Sequence, residues 1–192
     1  MTGIILAGGK NSRIAMTKAL IRFGDTTIIE RTVNLFRKLF NEIIVVTNQF
    51  SDYEHLNVKL IKDQIPGTGP LGGLYSGLRA ASSDYSLVVA CDMPFIDSGI
   101  ILHLQNYVYL AEYDVIIPEL NGFIEPLCAF YSKNCIPAIE AHLGQGDFKI
   151  RSFYPRVRVK EVPCNHFRSI ERAFFNINTR EDLQLARKLH CG

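Results

Sequence analysis

Apolar residues recur along the chain in short continuous runs rather than in strict alternation with polar ones. Such runs are typical of strands that are covered on both faces, as in parallel sheets. They predict five strands in the first 120 residues, at 3–7, 42–47, 58–62, 85–91 and 114–118. Segments with helical spacing lie among them, at 27–40, 71–81 and 98–110. This alternation predicts a mostly parallel sheet with right-handed crossovers.

The pattern changes in the second half of the chain. Two apolar runs, 115–120 and 123–131, flank Asn121-Gly122, a dipeptide that favours a two-residue hairpin. A helix near 137–143 that Gly144 ends, a strand at 156–162 and a last helix at 179–189 follow. We therefore predict one domain over residues 1–192: a three-layer, doubly wound α/β fold whose mixed, mostly parallel sheet carries an antiparallel hairpin insertion.

Two of the predicted helices begin with a capping-box pattern. Thr27 is followed by Glu30, and Thr179 by Asp182. In such a box the threonine side chain and the acidic side chain each satisfy a backbone amide of the first turn. The two helices are therefore predicted to begin at Thr27 and Thr179.

Composition and charge exclude several classes of partner. The 21 Lys and Arg against 19 Asp and Glu give a net charge of +2, without the clustered basic surface that nucleic acid or an anionic membrane requires. No apolar run reaches the ~20 residues of a membrane span, and the N-terminus lacks a secretory signal. The five cysteines show no Cys-x-x-Cys pair, which favours reduced thiols and a cytoplasmic location, with Cys91 and Cys128 in the core.

The loop after the first strand is rich in glycine and in cations. Gly8 and Gly9 would let backbone amides converge on an anion without a Cβ in the way. Three cations follow within one short excursion, namely Lys10, Arg13 and Lys18. A Walker A loop is excluded because Ala19 stands where Ser or Thr would bind magnesium. These features fit a phosphate-binding loop and a solvated basic turn equally well.

A carboxylate follows the fourth predicted strand. Asp92 comes directly after the run 85–91, so it is expected in the crevice above the carboxyl ends of the strands. Beside a triphosphate it would be a natural ligand for Mg²⁺, which favours one or two carboxylates with phosphate oxygens and water. It could instead cap the following helix, although Asp97 and Ser98 are better placed for that role.

A third feature is Gly67-x-Gly69-x-x-Gly72, which lies between a predicted strand and a predicted helix. The spacing matches the fingerprint of a nicotinamide or flavin dinucleotide site. Residues 63–66 separate the strand from the first glycine, however, and Pro70 interrupts the motif where free amides should meet the pyrophosphate. We favour a glycine-rich loop, including Gly72, that lies against a nucleotide base or ribose.

Taken together, these segments resemble the molybdenum cofactor guanylyltransferases, which belong with the sugar-nucleotide pyrophosphorylases to a wider group of nucleotidyltransferases. The matching segments run in the family's order over nearly the whole chain. They are Leu6-Ala7-Gly8-Gly9, Ser12-Arg13 to Lys18, Gly69-Pro70-Leu71-Gly72-Gly73, Cys91-Asp92-Met93-Pro94-Phe95, Glu125-Pro126-Leu127 and Phe175-Asn176-Ile177-Asn178-Thr179.

The resemblance implies the transfer of GMP from GTP to molybdopterin with Mg²⁺ and the release of pyrophosphate. It also implies contacts with other cofactor-biosynthesis proteins and apo-molybdoenzymes. It implies that Leu6, Ala7, Gly8 and Lys18 contact the nucleotide and that Asp63 contacts its guanosine end. Asp92 is implied to contact both the nucleotide and the metal ion. Asn176 and Asn178 are implied to contact the pterin substrate. Gly9 is predicted to bind the nucleotide with its loop. Lys18 and Arg13 on the phosphates and Asp92 on Mg²⁺ are the predicted catalytic residues.

The loop after the first strand departs from the family's pattern at two positions. The family usually has Arg-Met-Gly-x-Asp-Lys, whereas Ala15 and Thr17 replace the glycine and the aspartate here. The change restricts the backbone conformations of the loop and removes a partner for Lys18 or Arg13.

Three alternative functions stay open. They are a transferase for CTP or a sugar phosphate, an NAD(P)- or FAD-dependent oxidoreductase, and a nucleotide-binding regulator without activity. The residues alone leave the choice between GTP and CTP open.

Overall fold

The computed structural model describes residues 1–8, 18–167 and 169–191. The predictions for Gly9, Lys10, Arg13, Ala15 and Thr17 lie outside these residues. The strands of the described part are β1 (Thr2–Leu6), β2 (Arg22–Phe23), β3 (Thr26–Thr27), β4 (Glu42–Val46), β5 (Lys59–Ile61), β6 (Tyr85–Ala90), β7 (Val115–Leu120), β8 (Phe123–Ile124), β9 (Cys128–Ser132) and β10 (Val159–Pro163). The α-helices are α1 (Ile28–Phe36), α2 (Gly69–Ala80), α3 (Ser98–Val108), α4 (Ile136–Gly144), α5 (Ile170–Ala173) and α6 (Arg180–Cys191).

The main sheet is mixed and mostly parallel, as predicted. Its strand order is β10-β7-β9-β6-β1-β4-β5, and β8 pairs with β7. Strand β1 is parallel to both β4 and β6, whereas β9 is antiparallel to β6 and β7. From β1, the strands β4 and β5 follow one another toward one edge of the sheet, whereas the next strand along the chain, β6, lies on the other side of β1. The strand order therefore reverses between β1 and β6.

Helices cover both faces of this sheet, which explains the continuous apolar runs. In β1, Ile5 packs with α1 and α3 on one face, while Ile4 and Leu6 pack with α2 and α4 on the other. Successive strand residues point to opposite faces, so both sets must be apolar. A third cluster joins the small β2–β3 ribbon to α6 and comprises Ile21, Phe23, Ile28, Ile177 and Ala186. The predicted three-layer fold is confirmed.

The predicted hairpin is present but shorter than expected. Asn121 and Gly122 have φ values of 52° and 82°, the left-handed conformations that a two-residue hairpin turn requires. The predicted strand 123–131 is wrong as a single element, because β8 ends at Ile124 and the chain leaves the ladder before β9. Strand β9 then pairs with β6 and β7, which brings residues 125–127 to the edge of the sheet where β6 ends.

Both capping boxes are confirmed. The Thr27 amide donates to Glu30 Oε2 at 2.6 Å, and the Glu30 amide donates to Thr27 Oγ1 at 3.3 Å. The Thr179 amide donates to Asp182 Oδ2 at 2.8 Å, and the Asp182 amide donates to Thr179 Oγ1 at 3.1 Å. Helix α4 ends at Gly144 as expected, but the left-handed residue that follows is Gly146, with φ 73°.

An ion pair between the buried Asp114 and the exposed Arg158 joins the starts of β7 and β10 at the far edge of the sheet. Asp114 Oδ2 and Oδ1 accept from Arg158 Nε at 3.0 Å and Nη2 at 3.1 Å, and the Arg158 amide also donates to Oδ2 at 3.0 Å. These bonds lower the pKa of Asp114 to about 2.

In the described ranges no helix is both long and apolar enough to cross a bilayer.

Candidate active site

A cleft of about 730 Å³ opens at the carboxyl ends of β1, β4, β5 and β6. It lies where the strand order reverses, the position at which open α/β sheets bind their ligands. Its wall is formed by residues that end or follow these strands together with the start of α2, namely Leu6, Ala7, Gly8, Lys18, Val46, Thr47, Asn48, Gln49, Asp63, Gly67, Gly69, Pro70, Gly73, Ala90, Cys91, Asp92 and Leu127. The predicted crevice is therefore present.

One basic and one acidic side chain meet in this cleft. Lys18 begins a short 3-10 turn (Lys18–Leu20), and its Nζ lies 3.0 Å from Asp92 Oδ2. Both side chains are about one fifth exposed, at 22% and 19%. The same Nζ donates to Asn178 Oδ1 at 2.6 Å. Residues from three distant parts of the chain thus form one polar cluster, which we call the Lys18–Asp92–Asn178 cluster.

The closing segment of the chain is attached directly to the loop that carries Asp92. The Ile177 amide donates to the Asp92 carbonyl at 3.0 Å, and the Ile177 side chain is buried in the third core cluster. The neighbouring side chains of Asn176 and Asn178 are more exposed than Ile177. The Asn178 amide also donates to Asp182 Oδ2 at 2.9 Å, so the start of α6 fixes this segment.

Glu125 lies where the chain leaves the ladder between β8 and β9. Its Oε1 accepts from the Leu127 amide at 3.0 Å. Burial raises the pKa of Glu125, and the charge of Asp92 raises it further. Glu125 therefore belongs electrostatically to the same site, although the sequence did not identify it as a site residue. The only sequence signal was its place in a family segment.

The other end of the cleft is built around Asp63 and the glycine-rich loop. Asp63 Oδ1 accepts from the Ile65 amide at 3.1 Å and from Ser76 Oγ at 3.3 Å, which holds the carboxylate at the cleft wall. Gly67 and Gly69 have φ values of 88° and 63°, which are strained for any other residue, and a Cβ on either would meet no atom within 4 Å.

Gly72 has a different place from the one predicted. It lies buried in the first turn of α2, where a Cβ would be 2.0 Å from Thr68 Oγ1, and it is not part of the cleft wall. The absence of a side chain is thus required by packing. The dinucleotide fingerprint also fails structurally, because β5 ends at Ile61 and α2 begins only at Gly69, without the tight turn that such a site needs.

The structure brings most of the predicted site residues together. Leu6, Ala7, Gly8, Lys18, Asp63 and Asp92 line the cleft, and Asn178 joins it through Lys18. Arg13 and Gly9 lie outside the described residues. The polar residues after β4, Thr47 to Gln49, line the cleft too and were missed. They follow the buried strand β4 as Asp92 follows β6, and polar residues in that position face the crevice.

Cys91 requires a correction. It was expected in the core, but it is only half-buried and lines the cleft beside Asp92. Burial and the neighbouring Asp92 charge raise the pKa of its thiol to about 12, so it stays protonated at neutral pH. Cys128 is buried, as predicted. Among the described residues, no group of three or more His, Cys, Asp or Glu side chains is arranged to hold a metal ion.

Comparison with known proteins decides the family. Residues 3–161 match the model of the MobA-like NTP transferase domain. The chain belongs to the MobA-like NTP transferase family. The prediction of a nucleotidyltransferase is thereby confirmed, and so is the predicted relationship to molybdenum cofactor enzymes.

Individual relatives cover nearly the whole chain. A probable molybdenum cofactor guanylyltransferase of Pelotomaculum thermopropionicum is 39% identical over 97% of this chain and 91% of its own length. The molybdenum cofactor guanylyltransferase of Desulfosudis oleivorans is 34% identical over 97% and 94%. Molybdopterin-guanine dinucleotide biosynthesis protein A from Archaeoglobus fulgidus is 28% identical in sequence. Its crystal structure aligns with this chain with a TM-score of 0.84 over 98% of both chains.

A more distant structure shares the fold alone. The 2-C-methyl-D-erythritol 4-phosphate cytidylyltransferase of Thermus thermophilus is 18% identical, with a TM-score of 0.74 over 99% of this chain and 98% of its own. The two proteins therefore share the arrangement of sheet and helices.

Proposed function

We propose that this transferase moves GMP from GTP to molybdopterin, forming the guanine dinucleotide form of the molybdenum cofactor and releasing pyrophosphate, with Mg²⁺ required. The observation that carries the proposal is the Lys18–Asp92–Asn178 cluster at the reversal of strand order. The relatives support the choice of substrates, since they are named molybdenum cofactor guanylyltransferases.

The nucleotide base is assigned to the end of the cleft formed by Asp63 and the glycine-rich loop. A flat base can lie on the exposed backbone of Gly67 and Gly69, because no side chain projects there. Guanine carries donors on one edge, and a carboxylate accepts only, so Asp63 is a suitable partner for that edge. The triphosphate would then extend toward Gly8 and Lys18 at the end of β1.

The chemical problem is electrostatic rather than one of proton transfer. A terminal phosphate of the acceptor is already an anion at neutral pH and needs no general base. It must approach the α-phosphate of a polyanion, and two unit charges at 4 Å repel by about 4 kcal/mol at an effective dielectric constant of 20. Positive charge fixed in advance at this place is therefore the largest contribution that the protein can make. Lys18, held by Asp92 and Asn178, provides it.

Asp92 is suited to hold Mg²⁺. Its carboxylate is partly exposed at the cleft wall, and this ion favours one or two carboxylates together with phosphate oxygens and water. When bound, Mg²⁺ would offset the phosphate charge and assist the departure of pyrophosphate. Lys18 neutralises the phosphates. The hydrogen bond from the Ile177 amide to the Asp92 carbonyl keeps Asn176 and Asn178, the predicted acceptor contacts, beside the nucleotide-binding part of the cleft.

Nucleotide selectivity provides a first test. A ligand present at about 100 times its Kd stabilises a protein by about 2.7 kcal/mol, which a thermal-shift titration detects. We expect GTP to raise the melting temperature, with a larger rise when Mg²⁺ is present. CTP, ATP and NADH at the same concentrations should give much smaller shifts.

Two results would contradict this part of the proposal. A larger shift with CTP would favour a cytidylyl transferase of the same fold, and a shift with NADH alone would favour an oxidoreductase. The variant Asp63→Asn provides an internal comparison: it should reduce the shift with GTP, because an amide presents only one oxygen to the donor edge of guanine. The shift with inorganic triphosphate should stay the same.

A further inference from the structure

A buried serine of α2 holds the loop that carries Asp63. Ser76 is fully buried and does not line the cleft. Its Oγ accepts from the Gln64 amide at 2.9 Å and donates to Asp63 Oδ1 at 3.3 Å. Asp63, the residue assigned above to the nucleotide base, is thus linked to a side chain that lies behind the cleft wall.

Gly72, one helical turn before Ser76, lets the loop approach α2 closely. Residues four apart lie on the same face of a helix. A Cβ at Gly72 would be 3.2 Å from Asp63 Oδ1 and 2.9 Å from the Ile65 carbonyl oxygen. The loop therefore packs against the helix backbone at Gly72, and Ser76 supplies the hydroxyl group that reaches Asp63.

The hydroxyl group of Ser76 has one proton and two acceptors near it. The Gly72 carbonyl oxygen is 2.8 Å away, and Asp63 Oδ1 is 3.3 Å away. The carbonyl lies inside α2 and also accepts the bond of the helical ladder, whereas the carboxylate carries a charge. A proton directed at the carbonyl alone would leave a lone pair of Oγ facing that charge. The proton is therefore shared between the two acceptors, and replacing Ser76 removes a donor to Asp63.

One of the two oxygens of Asp63 is used within the protein. Oδ1 accepts from the Ile65 amide at 3.1 Å as well as from Ser76, and a carboxylate oxygen has about two acceptor sites. Among the residues that the structure describes, none donates to Oδ2, which leaves this oxygen for a ligand in the cleft. In Asp63→Asn a single oxygen would have to serve both the Ile65 amide and the base, which explains the loss expected above for that variant.

We propose that Ser76 is a positioning residue for base recognition, which fixes the rotation of Asp63 and reserves Oδ2 for the N–H edge of an oxopurine base. Guanine presents a ring N–H and an amino group on that edge. Adenine presents an unprotonated ring nitrogen there, which a carboxylate oxygen repels, because both groups can only accept. The inference rests on the proposed function and deepens it, because it adds a residue that selects the base without touching it.

Calorimetric binding of GTP, ATP and inorganic triphosphate to Ser76→Ala tests this role. We expect the Kd for GTP to rise by ~10-fold, on the scale of one hydrogen bond to a charged group, because Asp63 loses one of the two donors that hold it. The Kd values for ATP and inorganic triphosphate should change by less than ~2-fold, the scatter of a neutral substitution. An unchanged Kd for GTP, or an equal loss for all three ligands, would overturn the proposal.

Ser86→Ala is the matched control, because Ser86 is equally buried and its Oγ has no partner among the described residues. It should bind GTP as wild type does. In an Asp63→Ala background, Ser76→Ala should have less than ~2-fold further effect on the Kd for GTP, because the carboxylate that it positions is gone. A merely structural role of Ser76, through the Gln64 amide, would give the same loss in both backgrounds and would contradict the proposal.

The role of Ser76 remains testable if Ser76→Ala does not fold. In a crystal structure of the wild-type protein with GTP, Asp63 Oδ2 should accept from the base, while Oδ1 keeps the Ile65 amide and the Ser76 hydroxyl group. Loss of these two bonds to Oδ1, with both oxygens on the base, would refute the proposal. A base bound away from Asp63, or no binding of GTP at all, would contradict the proposed function instead, so the two failures are distinguishable.

Discussion

Replacing Lys18 with alanine should lower the rate of GMP transfer by at least ~100-fold, the usual effect of removing a charge that is fixed in advance of the transition state. Lys18 is one of the two predicted catalytic cations, and its Nζ is held between Asp92 and Asn178 at 3.0 and 2.6 Å. Because the ammonium group is already in place, it loses little freedom when the phosphates arrive. Steady-state pyrophosphate release with GTP, molybdopterin and Mg²⁺ measures the effect.

The control for this experiment is Lys38→Ala, which removes an exposed lysine just after α1. It should keep the wild-type rate and melting temperature. The Lys18→Ala protein should fold as well, since its side chain is partly exposed. A folded Lys18→Ala protein with a rate within a few-fold of wild type would show that phosphate neutralisation does not depend on this residue, and the charge argument would be wrong.

Replacing Asp92 with asparagine should also lower turnover by at least ~100-fold, for a different reason. Asparagine keeps the shape and can still accept from Lys18, but it removes the negative charge that would hold Mg²⁺. Binding of GTP without Mg²⁺ should be equal to or tighter than in wild type, because a carboxylate beside the phosphates is gone. Isothermal titration with and without Mg²⁺, together with turnover, separates the two effects.

Asp84→Asn is the matched control, because Asp84 is exposed and precedes the same strand, β6, at its amino end. It should leave both GTP binding and turnover unchanged. Asp92→Asn protein that still turns over at a Mg²⁺-dependent rate near that of wild type would remove Asp92 from the metal site. The ion would then have to be held by other groups, and the proposed division of roles would need revision.

Much of this site follows from the sequence because parallel strands bring their carboxyl ends to one edge. Lys18 and Asp92 are 74 residues apart, yet each follows a buried strand, and β1 and β6 are neighbours in the sheet. The strand–helix alternation that the apolar runs indicate predicts a parallel sheet with such a crevice, and the structure shows that the strand order reverses between β1 and β6. The same logic accounts for Asp63 after β5 and would have found Thr47 after β4.

What the sequence could not predict depends on tertiary packing. The break between β8 and β9, which brings Glu125 to the carboxyl end of β6 where Asp92 lies, accompanies the insertion of β9 between β7 and β6, and no local pattern marks it. Gly72 was predicted to contact the nucleotide because its spacing fits a binding motif, whereas it lies buried in the first turn of α2, where a Cβ would clash with Thr68 just before the helix. The link from Lys18 to Asn178 spans 160 residues and became visible only when the chain was folded.

The central claim is that this cleft joins GTP to molybdopterin, and the most direct measurement is product formation by the wild-type protein. Purified protein would be incubated with GTP, molybdopterin and Mg²⁺, and the products identified by mass spectrometry alongside a pyrophosphate assay. We expect the guanine dinucleotide and pyrophosphate in equal amounts, and neither product when GTP, molybdopterin or Mg²⁺ is omitted. Formation of a cytidine dinucleotide from CTP in preference, or no nucleotidyl transfer to molybdopterin at all, would contradict the account.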